Sequence, residues 1–297
     1  MNLPNFLCIG AAKSGTTTLY DLLGKHPDLY VPSFKEPHYF DFSSNYRNGI
    51  DWYNKIYFSD VKKEQVIMDF TPSYLYEKKS PERIFKSLGK EVKFLVLLRN
   101  PVDRAYSHYL HSKRDNYETE DFLIALEKEG KRISDARKNE DYVAELKYSY
   151  ISQGNYYSMI TNYLKYFPRE QFLFIHFEQE FVASRIESMK KIFSFLGVDY
   201  IPEFNYMLKS NSASVAKFIW IKKILQKTGW WRSIIKEIVP SLKFRQIIKN
   251  KMQRASIRPF VPPPLTTSQR KNIYNLYFKK EIKKLEELLN REMNWEV

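Results

Sequence analysis

Three short stretches of the chain carry side chains that could do chemistry on a charged substrate. In the first, the apolar run Phe6-Leu7-Cys8-Ile9 leads into Gly10-Ala11-Ala12-Lys13-Ser14-Gly15, and Thr16-Thr17-Thr18-Leu19 opens a helical pattern. A small-residue turn between a strand and a helix aims backbone N–H groups and the positive end of the helix dipole at an anion. Gly10 and Gly15 allow close approach, and Lys13 with the hydroxyls of Ser14, Thr16 and Thr17 adds donors. This is not a Walker A loop, because G-x-x-x-x-G-K would require lysine where Thr16 stands. The plain alternative is a strand–turn–helix capped by Ser or Thr, with no ligand. The second stretch, Arg99-Asn100-Pro101-Val102-Asp103-Arg104-Ala105-Tyr106-Ser107, follows the apolar run 93–98. Pro101 suits the first turn of a helix. Arg99 then ends a strand and Ser107 lies two turns on, so that guanidinium and hydroxyl can grip a second phosphate. Its alternative is a local pair between Arg99 and Asp103. The third stretch is Lys35-Glu36-Pro37-His38-Tyr39-Phe40-Asp41. His38 could act as a base near neutral pH, or pack as a hydrogen-bonded ring beside Tyr39 and Phe40.

The elements that must position these groups follow from the apolar pattern. Strands are expected at 5–10, 66–70, 93–98 and 172–176, and helices at 16–25, 81–88, 102–114, 156–166 and 183–196. Strands rich in Val, Ile, Leu and Phe without polar alternation, separated by helices, imply a parallel sheet covered on both faces. The expected fold is α/β: a P-loop-like three-layer fold with a central parallel sheet flanked by helices, plus a basic helical C-terminal region. It forms a single domain over 1–297, with 209–265 as a basic helical insertion or subdomain. The charged stretch 115–149 reads as a helical excursion, and a last helix is expected from Thr267 to about Asn290, behind a Thr or Ser cap. Open α/β sheets bind ligands at the carboxyl edge. Two anion sites on that edge match a nucleotide with phosphates at both its 5' and 3' positions.

The pair A-A-K-S-G-T-T-T-L and L-R-N-P-V-D-R-A-Y-S-H-Y resembles the 5'-phosphosulfate loop and the 3'-phosphate motif of sulfotransferases. These enzymes use 3'-phosphoadenosine-5'-phosphosulfate (PAPS). The likeness is to the heparan-sulfate N- and 3-O-sulfotransferase branch and its bacterial relatives. It implies that Lys13, Ser14, Gly15, Thr16 and Thr17 hold the 5' side of PAPS, and that Arg99 and Ser107 hold the 3'-phosphate. The third stretch resembles the K-E-x-H-[FY]-F segment of the same branch, in which the glutamate is the catalytic base. By that resemblance Glu36 takes the acceptor proton, Lys13 sits on the bridging oxygen, and Lys35 or His38 steadies the transferring group. No metal is required. One departure concerns the acceptor side: the branch's Glu-Lys-Thr-Pro segment corresponds to Asp69-Phe70-Thr71-Pro72-Ser73-Tyr74, with Phe70 in place of the lysine. The resemblance of the third stretch favours a glycan acceptor, and docking of a basic segment on a membrane would suit a glycolipid.

Composition bounds these readings. Hydrophobic residues at 43% and aromatics at 16% exclude a disordered chain. Cys8 is the single cysteine, so neither an internal disulfide nor a cysteine-based metal site can form. No secretory signal or membrane span is visible, which sets the expectation of a cytoplasmic protein. The net charge of +14 lies wholly in 209–297, with 20 Lys/Arg against 6 Asp/Glu. Within it, 217–254 has 11 basic residues and one acid, Glu237, with Trp220, Trp230 and Trp231 among the lysines. That segment is either a solvated helical face, a peripheral contact with an anionic membrane, or a track for an acidic polysaccharide. Two other functions compete. A P-loop kinase would use Asp69 for Mg²⁺ but lacks the lysine at position 16. A nucleic-acid-binding protein is disfavoured, since no recognised motif accompanies the charge.

Overall fold

The structure, a computed structural model, describes residues 1–207, 214–216, 257–259 and 261–295. Strand β1 (Phe6–Gly10) is central in a five-stranded sheet with β2 (Leu29–Tyr30), β3 (Val66–Phe70), β4 (Lys93–Leu98) and β5 (Phe172–His176). The order is β2-β3-β1-β4-β5, and every pairing is parallel. The expected three-layer α/β fold is therefore present, with both faces of the sheet covered.

Alternate residues of each strand feed opposite cores, which is why the strands read as continuous apolar runs. Phe6, Cys8, Leu95, Leu97 and Ile175 pack with Leu19 and Leu22 of helix α1 (Thr16–Leu23) and with Met189, Ile192 and Phe193 of a later helix, Arg185–Leu196. Leu7, Ile9, Phe94, Val96 and Leu98 face the other way. They meet Ile84 of the helix Ser80–Leu88, Val102 and Ala105 of Pro101–Arg114, and Ile160 and Tyr163 of Tyr156–Tyr163. C-terminal residues Ile282 and Leu285 close this second core.

The expected strands match within one residue, and the helices differ mainly at their ends. The excursion 115–149 contains helices Phe122–Lys138 and Tyr142–Tyr148. The last helix begins at the Thr266 cap, completed by Gln269 as a capping box. It then runs through Thr267–Ile273, a wider π-turn at Tyr274–Phe278, and Lys279–Leu289. Two helices were not anticipated, α2 (Ser43–Tyr46) and α3 (Gly49–Tyr57). They carry an aromatic cluster in which Tyr53 stacks on Tyr39 at 4.3 Å. The basic segment 217–254, and nearly all of the expected 209–265 insertion, lies outside the described residues. A short antiparallel pair, Ser214–Ala216 with Ile257–Pro259, brackets it.

Connectivity decides where a ligand can enter. The chain leaves β1 toward the β3 side of the sheet and leaves β4 toward β5, so the topological switch point falls between the neighbours β1 and β4. The turns carrying Lys13 and Arg99 are the ones that follow these two strands.

The end of β1 is close-packed. A Cβ on Gly10 would come within 2.7 Å of Leu75 Cδ2 and 2.9 Å of Leu75 Cβ. Gly10→Ala is expected to lower stability by about 1–3 kcal/mol through overpacking, read from denaturant unfolding. An unchanged midpoint would show that the Leu75 segment yields freely.

Candidate active site

The turn after β1 is built from the backbone outward. Ala11 N–H donates to Leu97 O at 2.9 Å and Ser14 N–H to Ala11 O at 3.2 Å, while Lys13 and Gly15 take the left-handed region at φ 70° and 82°. Gly15 is required there twice over, since a Cβ would also meet the Phe177 ring at 2.7 Å. Ser14 is fully buried and its hydroxyl has no hydrogen-bond partner among the described residues. An unmet buried donor of this kind at a helix N-terminus suits an anion's oxygen. Burial, with the cations Arg114 and Lys147 nearby, lowers the Lys13 pKa to about 7. Thr16 and Thr17 open α1, the first buried and the second half-buried.

Arg99 reaches this turn from β4. Its Nη1 donates to Lys13 O at 2.7 Å, its guanidinium lies 5.1 Å from the Phe177 ring centroid, and its Nε is 4.0 Å from Glu178 Oε1. Tyr156 Oη donates to Arg99 O at 2.9 Å and fixes the strand end. The local pair with Asp103 does not form, because Arg270 takes both Asp103 oxygens at 2.5 and 3.1 Å. Asn100 caps the helix Pro101–Arg114 by accepting from Val102 N–H at 3.0 Å. Ser107 is half-buried two turns along it.

The third stretch hangs on the end of β3. Glu36 N–H donates to Phe70 O at 3.1 Å, and Glu36 and His38 both hold positive φ, 65° and 52°. Lys35 Nζ donates to Glu36 Oε1 at 2.5 Å, and His38 Nε2 lies 3.6 Å from Glu36 Oε2. The other ring nitrogen, Nδ1, is 2.8 Å from Asp41 Oδ2, which also accepts from Ser73 Oγ at 2.6 Å. Burial pushes the Glu36 carboxyl up, but Lys35 and His38 outweigh it and hold it well below the usual carboxylate range. Burial opposes the imidazolium, yet Asp41 and Glu36 push the His38 pKa up to about 10. At neutral pH Glu36 is thus an ionised carboxylate flanked by two cations. This favours the hydrogen-bonded reading of His38 over its role as an independent base.

Lys35, Glu36 and His38 are therefore brought together, as are Lys13 and Arg99. The two groups share the carboxyl edge, but no hydrogen bond or ion pair joins them among the described residues. Sequence reading assigned no role to Ser73, Tyr53, Phe177 or Glu178. Asp69, the expected Mg²⁺ ligand of a kinase, is fully buried and accepts from Tyr53 Oη at 2.6 Å, Thr71 Oγ1 at 2.6 Å and Tyr74 Oη at 2.8 Å. Its oxygens are occupied, which removes the support that reading had. Among the described residues no group of three or more His, Cys, Asp or Glu could hold a metal ion.

A parallel sheet whose switch-point turns carry Lys13 and Arg99, with a charged carboxylate on the same edge, has the architecture of an α/β transferase. The chain belongs to the sulfotransferase family: the family model described as "Sulfotransferase domain" matches residues 3–256. It is 31% identical over 201 residues to Heparan sulfate glucosamine 3-O-sulfotransferase 3B1 of Mus musculus, a match covering 67% of this chain and 47% of that protein. The chain thus spans about half the length of that relative. It is similar to the crystal structure of a sulfotransferase from Alicyclobacillus acidocaldarius, with TM-score 0.68, 25% identity and 98% of each chain covered. A third relative, the Membrane-associated sulfotransferase kil1 of Dictyostelium discoideum, is 42% identical over 109 residues, 36% of this chain and 22% of that protein.

This last relative corrects the expectation of a cytoplasmic protein. No helix among the described residues is long and apolar enough to cross a membrane. A membrane-associated relative shows that this property does not assign a compartment within the family.

Asp69 supplies a test of the packing beneath the site. Burial raises its pKa to about 6, against the lowering effect of its three hydroxyl donors. A carboxyl with a raised folded-state pKa binds more protons folded than unfolded, so its contribution to stability falls as pH rises from about 4 to about 6. Relative to Asp69→Asn, the unsubstituted protein is expected to gain stability as pH is lowered through that window. Parallel pH dependences of the two proteins in urea melts would contradict it.

Proposed function

We propose that the chain transfers a sulfuryl group from PAPS to a hydroxyl or amine of a glycan or glycolipid acceptor, with Glu36 as the base. The observation that carries the reading is the Lys13–Arg99 pair across the β1/β4 crevice. There the Arg99 guanidinium bonds the Lys13 carbonyl, beside the buried Ser14 hydroxyl that has no partner among the described residues. These residues fit a nucleotide bearing phosphate at both ends. The turn Lys13, Ser14, Gly15, Thr16 and Thr17 receives the 5' side, and Arg99 with Ser107 receives the 3'-phosphate. PAPS supplies the activated sulfuryl group. Lys13 neutralises charge developing on the leaving 5'-phosphate. Lys35 and His38 steady the transferring group.

Glu36 accepts the acceptor's proton. In the ligand-free site its proton affinity is suppressed by Lys35 and His38. As the sulfuryl oxygens draw those cations off, the carboxylate becomes a stronger base. The family match and the heparan-sulfate relative support a glycan acceptor. The basic segment 217–254 would meet an anionic membrane carrying a glycolipid, or the acidic polymer itself.

Calorimetric titration with 3'-phosphoadenosine-5'-phosphate, beside ATP and without added metal, tests the donor. Binding of the former that Lys13→Ala and Arg99→Ala both weaken is expected, whereas a preference for ATP with Mg²⁺ would overturn the proposal. Glu36→Gln should leave that affinity unchanged and lower turnover by about 10²–10⁴-fold. Equal losses of binding and turnover would assign Glu36 to the nucleotide instead.

The Lys13 pKa of about 7 gives a further expectation. A bound anion favours the ammonium, so binding takes up a proton and affinity falls as pH rises above 7. A flat profile from pH 7 to 9, or one retained in Lys13→Met, would remove Lys13 from the phosphate site.

A further inference from the structure

Resting on the reading of the 11–17 turn as a phosphate site, we infer that Arg99 is also a positioning residue for that turn. Its guanidinium braces the backbone of Lys13, which makes the 5' and 3' subsites one coupled unit. Lys13 sits at φ 70°, a region that a side-chain-bearing residue keeps only where its surroundings enforce it. The enforcing contact is the 2.7 Å hydrogen bond from Arg99 Nη1 to Lys13 O. The guanidinium is itself fixed from two sides, and the main chain that carries it from a third. Phe177 lies against its face at 5.1 Å, Glu178 stands 4.0 Å from Nε, and Tyr156 holds the Arg99 carbonyl. Phe177 also packs beneath Gly15, so one ring supports both the turn and its brace.

The chemistry of arginine allows both roles at once. Its planar fork carries five N–H donors, and one bond to the Lys13 carbonyl leaves others for a phosphate. Among them is Nε, which has no hydrogen-bond partner among the described residues. A lysine presents three donors on one point charge and cannot serve two directions with the same geometry.

A ligand without a 3'-phosphate separates bracing from phosphate binding. Adenosine 5'-monophosphate makes no 3' contact, so an Arg99 that only holds the 3'-phosphate would be silent toward it. With the brace, Arg99→Ala and Arg99→Lys should both weaken adenosine 5'-monophosphate by about tenfold. Loss of a screened unit charge alone accounts for only about two- to threefold. Affinity within twofold of the unsubstituted protein in Arg99→Ala, or full recovery in the charge-retaining Arg99→Lys, would overturn the inference. Hydrogen–deuterium exchange of the ligand-free 11–17 backbone gives a readout that needs no nucleotide. Faster exchange in both variants at unchanged global melting supports the brace, and unaltered exchange overturns it. If the unsubstituted protein binds no 3'-phosphoadenosine-5'-phosphate, the functional reading fails, while the exchange result still decides the brace.

Discussion

The structure depends on keeping positive charge at the switch-point crevice without neutralising it internally. Lys13 is driven toward neutrality by burial and by Arg114 and Lys147, and Arg99 lies close enough to bond its carbonyl. The carboxylates within reach are shared with other partners, and Glu178 stands 4.0 Å from Arg99 Nε. Asp115 is 2.7 Å from Lys147 Nζ and 3.2 Å from Arg114 Nε, and Glu178 accepts from Asn100 N–H and Trp295 Nε1. Burying cations without full compensation costs stability. The surrounding architecture tolerates it because the two turns hang from the central strands β1 and β4, where backbone pairing on both sides leaves no room to relax.

The acidic side of the site follows the opposite rule. Glu36 and Asp69 lie at the end of the same strand, yet their proton affinities are pushed apart. Glu36 faces two cations and stays ionised, while burial, with Asp41 nearby, raises Asp69 against the lowering effect of its hydroxyl donors. Such divergence suits the proposed division between a base, Glu36, and a supporting carboxyl, Asp69. Asp69 organises Tyr53 and Tyr74. Tyr74 in turn accepts from Tyr39 N–H at 3.0 Å, and Tyr53 stacks on the Tyr39 ring. The left-handed Glu36–His38 segment is thus pinned at one end by Phe70 O and at the other by a network that ends on Asp69.

Much of this was legible in the sequence, and what was not has physical causes. The strands were readable because burial on both faces removes polar alternation, and the Lys13 and Arg99 turns because each joins such a strand to a helix start, at Gly15-Thr16 and Asn100-Pro101. Helices α2 and α3 escaped because they pack through aromatic rings, Tyr46 in α2 and Trp52, Tyr53 and Tyr57 in α3, rather than through an aliphatic stripe of helical period. The Asp103 alternative looked sound locally and failed because its partner, Arg270, comes 167 residues later. The Asp41–Ser73 bond spans 32 residues and the Arg99–Phe177 contact joins the residues that follow β4 and β5, so neither leaves a spacing signature.

The order of strands accounts for the order of groups. Neighbours β3, β1 and β4 lie about 4.8 Å apart, and their carboxyl ends present Glu36, Lys13 and Arg99 in that sequence. This is also the order in which the proposed reaction uses them: proton acceptance, neutralisation of the departing phosphate, then the distal anchor. A base on β5 would lie beyond the anchor, on the far side from the departing charge. Strand order therefore sets the places of Lys13 and Arg99 directly, and that of Glu36 through the loop after β2, whose Glu36 N–H bonds Phe70 O at the end of β3.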